Sequence, residues 1–113
     1  MGLKAIILKF GKMKKEMNPI VNVAVQILPR SSEVGTYELV DEAIRIIDQS
    51  GLKYRVTPFE TVMEGDYDEI MVVVKKIQFA CYNAGAETAM TYIKIQSSSD
   101  APVRIEDKME KYD

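Results

Sequence analysis

Five carboxylates, Glu60, Glu64, Asp66, Asp68 and Glu69, fall within ten consecutive residues. Carboxyl groups crowded this closely can raise one another's pKa, and a carboxyl that holds its proton near neutral pH can serve as a catalytic acid or base. A local explanation competes. Asp66 followed three residues on by Glu69 has the spacing of a helix capping box, and acids at a helix start favour its positive end. Cys81 is the second candidate. It is the sole cysteine of 113 residues, and the chain has no histidine. Without an imidazole to take its proton, a thiol at the apolar spacing of a helix reads as a packing group, not a nucleophile. The same lack removes the usual general base near neutral pH and the commonest metal ligand, so triads and most zinc or iron sites drop out. No catalytic residue, metal ligand or cofactor is assigned, and the chain is expected not to be an enzyme.

Charge narrows the partners. Fifteen basic and 17 acidic side chains give a formal net charge of −2, with the signs interspersed. A nucleic-acid backbone needs basic residues gathered on one face, so none is expected as a partner. The one basic run, Lys9, Lys12, Lys14 and Lys15, is short and Glu16 follows at once, which reads as a solvated terminal segment. The apolar stretch from Leu3 to Phe10 is broken by Lys4 and Lys9, is too short to cross a bilayer, and has no small-residue cleavage site after it. No membrane contact is expected. One cysteine cannot form an intramolecular disulfide, so the cytoplasm is the natural compartment. Residues 1–19 are set aside as an N-terminal extension, native or the product of a start codon assigned upstream. Residues 20–113 form one domain, small enough to gain from oligomerising.

The elements that must position these groups follow from periodicity. Val21, Val23, Val25 and Ile27 alternate against Asn22, Ala24, Gln26 and Leu28, which predicts a strand with one face in the core, stopped by Pro29. Thr36 is placed to cap a helix carrying Leu39, Val40, Ala43, Ile44 and Ile47, with Gly51 as its C-terminal stop. Lys53 to Glu64, broken by Pro58, predicts two short antiparallel strands, Tyr54 to Thr57 and Thr61 to Met63, joined by a tight turn. Behind the capping box a second helix carries Ile70, Val73, Val74, Ile77 and Cys81 and ends near Asn83 to Gly85. Ala89 to Gln96 alternates as a fourth strand. Ile105 to Tyr112 allows one or two helical turns on Ile105 and Met109. The order is strand, helix, strand, strand, helix, strand. That is the α+β, ferredoxin-like βαββαβ arrangement, a four-stranded antiparallel sheet with two helices on one face. The other face, expected to carry Asn22, Ala24, Gln26 and Leu28 with Met90, Tyr92 and Lys94, is left bare and is a natural place for a second subunit.

Four segments in this order resemble one family. They are Val23-Ala24-Val25-Gln26-Ile27-Leu28-Pro29, Gly51-Leu52-Lys53-Tyr54, Thr61-Val62-Met63-Glu64-Gly65 with Glu69-Ile70-Met71, and Ile105-Glu106-Asp107-Lys108-Met109. Together, over Ile20 to Tyr112, they are similar to the YkoF-like thiamine-binding family of UPF0045 type. The resemblance implies a homo-oligomer, a dimer of dimers assembled through the sheets, and a pocket for thiamine or its hydroxymethylpyrimidine portion. An aminopyrimidine needs a donor and an acceptor in its plane, and the thiazolium carries a permanent positive charge. On that basis Thr61, Glu64 and Gln26 are the expected polar contacts, and Tyr54 and Phe59 the stacking surfaces. Each has a plainer role open to it: Thr61 as a strand residue, Glu64 at the positive end of the second helix, Gly65 in a turn, and Tyr54 and Phe59 in the core or a turn. Gln26 depends on the assumed register. Gly65-Asp66-Tyr67 lacks the second glycine of a diphosphate-holding Gly-Asp-Gly, and no phosphate loop occurs, so the free vitamin or its precursor is the expected ligand, held without turnover. The alternative is a structural or regulatory oligomer with no small-molecule ligand.

Overall fold

The computed structural model describes residues 16–113. The basic run Lys9–Lys15 and most of the expected N-terminal extension lie outside the described residues. Alternation builds β1 (Ile20–Arg30), in which Val21, Val23, Val25 and Ile27 are buried on one face. It is followed by α1 (Thr36–Gln49), β2 (Lys53–Val56), β3 (Thr61–Asp66), α2 (Tyr67–Asn83), β4 (Thr88–Gln96) and the short α3 (Ile105–Met109). The strands lie in the order β2-β3-β1-β4, every neighbouring pair antiparallel. Ala43 and Ile47 of α1 and Ile70, Val73, Val74, Ile77 and Cys81 of α2 close over Val21, Val23, Val25 and Met63 in one core. This is the ferredoxin-like fold.

The start of α2 works as its sequence indicates. The Asp66 carboxylate accepts from the backbone N–H groups of Asp68 and Glu69 at 3.0 and 3.1 Å, satisfying donors the helix itself cannot. Gly85, just past the end, takes φ 115°, a conformation an L side chain resists. Cys81 is fully buried with Sγ 3.5 Å from the Leu39 carbonyl, and burial, aided by the charge of Glu42, pushes its thiol pKa up. The native protein is therefore expected to leave a disulfide reagent such as Ellman's unreacted at pH 8 and to react with one equivalent once unfolded. Reaction of the folded protein at the rate of a free thiol would show that the α1–α2 seam opens.

Four expectations are corrected. Pro29 does not end β1, which continues to Arg30. Its register with β3 stops at Val25↔Thr61, so among the described residues only β4 flanks the strand at Pro29, and a proline is tolerated beside an unpaired edge. Gly35, not Thr36, holds the cap position of α1. It is extended at φ −66° and ψ 145°, its carbonyl accepts from Leu39 N–H at 3.2 Å, and glycine serves at a cap with little penalty. Gly65 lies in β3 opposite Val21, not in a turn. There φ is 157°, and an added Cβ would come within 2.9 Å of Leu52 Cδ2.

The last correction concerns the second face of the sheet, which is not wholly bare. Val103 and Ile105 are buried against it. Val103 N–H donates to the Ile20 carbonyl at 3.0 Å, and Lys108 Nζ donates to Gln96 Oε1 at 2.8 Å. The C-terminal segment thus straps the half of that face bearing Asn22 and Glu64. Gln26, Leu28, Met90, Tyr92 and Lys94 share the uncovered half, as their alternation predicts.

Candidate functional site

The site begins with a mismatch in strand lengths. β3 pairs with β1 only as far as Val25↔Thr61, whereas β4 follows β1 to Arg30. Among the described residues, β1 beyond Val25 therefore has a free edge on the β3 side. Which residues point there follows from the flanking bonds. The Pro19 carbonyl accepts from Tyr67 N–H, on the β3 side, and the Arg30 carbonyl accepts from Glu87 N–H, on the β4 side. Odd-numbered residues of β1 thus direct their backbone groups toward β3, because successive residues of an antiparallel strand alternate. Ile27 is the odd-numbered residue next after the last β3 pair. Its N–H and C=O face the gap as an adjacent donor and acceptor fixed in the plane of the sheet.

That gap is a cavity of about 360 Å³. One wall is the first half of α1, with Thr36, Tyr37, Val40, Asp41 and Ile44. The other is the β2–β3 turn, Thr57 to Glu60, and the floor is the apolar core at Val25, Ile27, Ile47 and Ile77. The turn is held rigidly. Thr57 N–H donates to the Glu60 carbonyl at 2.9 Å, Thr57 Oγ1 donates to the same oxygen at 2.6 Å, and Glu60 N–H returns a bond to Thr57 Oγ1 at 3.2 Å. At the mouth stand two aromatics freely exposed to solvent, Tyr37 at 87% and Phe59 at 81%. Two carboxylates, Asp41 and Glu60, line the cavity, and among the described residues that line it none is lysine or arginine. Lys94 reaches Glu60 from the open face of the sheet, with Nζ 2.8 Å from Oε1.

Of the five residues expected to bind ligand, Phe59 and Thr61 come together in this cavity; Gln26 borders it through its place on β1, with its side chain on the open face beside Tyr92, and Tyr54 and Glu64 lie elsewhere. Tyr54 faces the helices opposite Met63, and its hydroxyl donates to Asp48 Oδ1 at 2.8 Å, tying β2 to the end of α1. The Asp48 carboxylate raises the Tyr54 phenol pKa through that bond. Glu64 points to the opposite face of the sheet. It is only 7% exposed, its Oε1 accepts from Ile105 N–H at 2.7 Å, and its Oε2 lies 3.5 Å from Arg104 Nη1. It holds the start of α3, while the N-terminus of α2 is served by Asp66. Asp41 and Tyr37 are lining residues that sequence reasoning missed. Tyr37 carried a weak signal: a large aromatic off the Leu39, Ala43 and Ile47 stripe is exposed, and it gains meaning only beside a second exposed aromatic such as Phe59.

Comparison with known proteins agrees with the fold. The profile of the family described as thiamine-binding protein matches residues 23–113. A UPF0045 protein of Clostridium perfringens is 38% identical over 91 residues, which cover 80% of this chain and 95% of that one. A solved Bacillus cereus domain of unknown function, DUF77, superposes with a TM-score of 0.80 at 38% identity, over 83% of this chain and 90% of that one. A Thermotoga maritima protein provisionally assigned to thiamine biosynthesis or salvage superposes at 0.76 with 30% identity, over 84% and 100% of the two chains. With its profile matched from Val23 to the last residue and a relative of 38% identity spanned almost end to end, the chain belongs to the thiamine-binding protein family.

Proposed function

We propose that the protein binds thiamine or its hydroxymethylpyrimidine portion in the cavity between α1 and the β2–β3 turn, without transforming it, as a carrier, buffer or sensor. The observation that carries this is the combination of groups in one place. The exposed edge of Ile27 offers a donor beside an acceptor, the pattern an aminopyrimidine presents in its plane. Asp41 and Glu60 supply negative charge, and Tyr37 and Phe59 supply π faces, for a ring with a permanent positive charge. Thr61, opposite Val25 on the helix side of the sheet, is the side chain closest in type to a further pyrimidine contact. The volume of about 360 Å³ falls at the lower end of the range typical of small-molecule pockets, roughly 300 to 1,000 Å³. Among the described lining residues a diphosphate would meet two carboxylates and no basic group, so the unphosphorylated vitamin is the better match.

Assembly as a dimer of dimers is part of the same reading. Leu28, Met90 and Tyr92 on the open face and Ile93 and Ile95 along the outer strand are exposed, and a long apolar edge strand is a surface that proteins seldom leave uncovered. Among the described residues no helix is long and apolar enough to cross a membrane.

Blocking the cavity tests the assignment. Val40→Trp, on the α1 wall, is expected to lower thiamine affinity at least about a hundredfold in calorimetric titration, equivalent to roughly 2.7 kcal/mol. Phe79→Trp, on an exposed position of α2, is expected to leave affinity unchanged. Wild-type affinity in a folded Val40→Trp protein would place the ligand elsewhere.

A further inference from the structure

The opposite face of the sheet has a cavity of its own. It measures about 320 Å³ and lies beneath α3, bounded by Asn22, Arg55, Val62, Ile105, Lys108 and Met109. Asn22 is 4% exposed. Its Nδ2 donates to the Val103 carbonyl at 3.0 Å, which fixes the orientation of the amide and leaves Oδ1 buried with no hydrogen-bond partner among the described residues. A buried amide oxygen in that state is ordinarily met from outside the chain, by an ordered water or by the donor of a ligand. Besides Asn22 and Thr57 the lining is apolar at Val62, Ile105 and Met109 and carries two cations, Arg55 and Lys108. None of the described residues that line it is acidic. Arg55 already receives one carboxylate, that of Asp113, through two parallel bonds of 2.9 and 3.0 Å. Both side chains of that pair are about half exposed, so the bond is weak and exchangeable.

We propose that this cavity is a second small-molecule site, selective for an anion that carries an apolar body and an N–H or O–H donor. The headgroup, carboxylate or phosphate, displaces Asp113 and pairs with Arg55 and Lys108. The body packs on Val62, Ile105 and Met109, and the donor satisfies Asn22 Oδ1. Planar guanidinium recognition favours such oxyanions, and the charge of the lining is opposite to that of the first cavity, so the two sites sort their ligands by sign. The proposal does not rest on thiamine binding.

Amide-resolved NMR titration of the whole chain tests it, with 4-aminobenzoate and 4-aminophenyl phosphate as probes and benzoate and aniline as controls. Both anionic probes are expected to shift the signals of Asn22, Val62, Ile105 and Met109 saturably, with fragment-like affinity on the order of millimolar. Benzoate, lacking the donor, is expected to bind at least about fivefold more weakly, and aniline, lacking the anion, not to saturate. Arg55→Gln is expected to weaken the probes about tenfold, and Asp113→Asn, which frees Arg55, to tighten them severalfold. The tighter of the two probes identifies the preferred headgroup. Val40→Trp, which blocks the first cavity, is expected to leave probe binding intact, so failure at one site is read separately from failure at the other. The absence of saturable shifts with both anions, or probe affinities that do not move in opposite directions in Arg55→Gln and Asp113→Asn, would overturn the proposal.

Discussion

Asp41→Asn combined with Glu60→Gln is expected to weaken thiamine binding about thirty- to a hundredfold while changing hydroxymethylpyrimidine affinity less than about threefold. The two substitutions keep shape and remove charge, so they act on the part of the ligand that is charged. A carboxylate beside a fixed cation at the mouth of a cavity contributes roughly 1 to 1.4 kcal/mol after solvation is accounted for, so two such groups give about 2 to 2.7 kcal/mol and the range stated. Asp41 should account for the larger share, because Glu60 is already partly neutralised by Lys94 at 2.8 Å. Calorimetric titration of both ligands against the double variant and each single variant measures the split. Equal losses for the two ligands would move the carboxylates from the thiazolium to the pyrimidine, and unchanged thiamine affinity would remove them from the site.

Glu64→Ala should do the reverse, sparing thiamine affinity and costing about 2–4 kcal/mol of stability. Its buried carboxylate accepts from Ile105 N–H at 2.7 Å, and truncation leaves that donor inside the protein without a partner. For a domain of this size each kcal/mol corresponds to roughly 4–8 °C in the melting temperature, so a fall of more than about 8 °C is expected. The loss should appear first as faster amide exchange at Ile105 and in α3, since these residues hang on the Glu64 carboxylate. A Glu64→Ala protein of native stability that no longer binds thiamine would instead return Glu64 to the ligand site.

These two variants also mark where the sequence is readable and where it is not. The β1 alternation, the Asp66 cap and the Ile70-to-Cys81 stripe are local, and each reports its own environment through spacing alone. The side of the sheet on which Gln26 lies follows from the same alternation, and its pairing with Tyr92 agrees. Glu64 misleads because its partner stands 41 residues away in the chain, on a segment whose docking no local pattern announces. Pro29 misleads because tolerance of a proline depends on whether a third strand reaches that far. Asp41 is hidden for a related reason. On the isolated helix it is one exposed polar residue among several, and only the arrival of the β2–β3 turn sets it across a cavity from Glu60 and the free edge of Ile27.

Parallel calorimetric titration of the wild-type protein with thiamine, hydroxymethylpyrimidine and thiamine diphosphate tests the binding assignment most directly. Saturable binding of thiamine, weaker binding of hydroxymethylpyrimidine for want of the cation, and little or none of the diphosphate is the expected result. A folded protein that binds neither thiamine nor hydroxymethylpyrimidine, or that prefers the diphosphate, would contradict it and leave the α1 cavity without the ligand proposed for it.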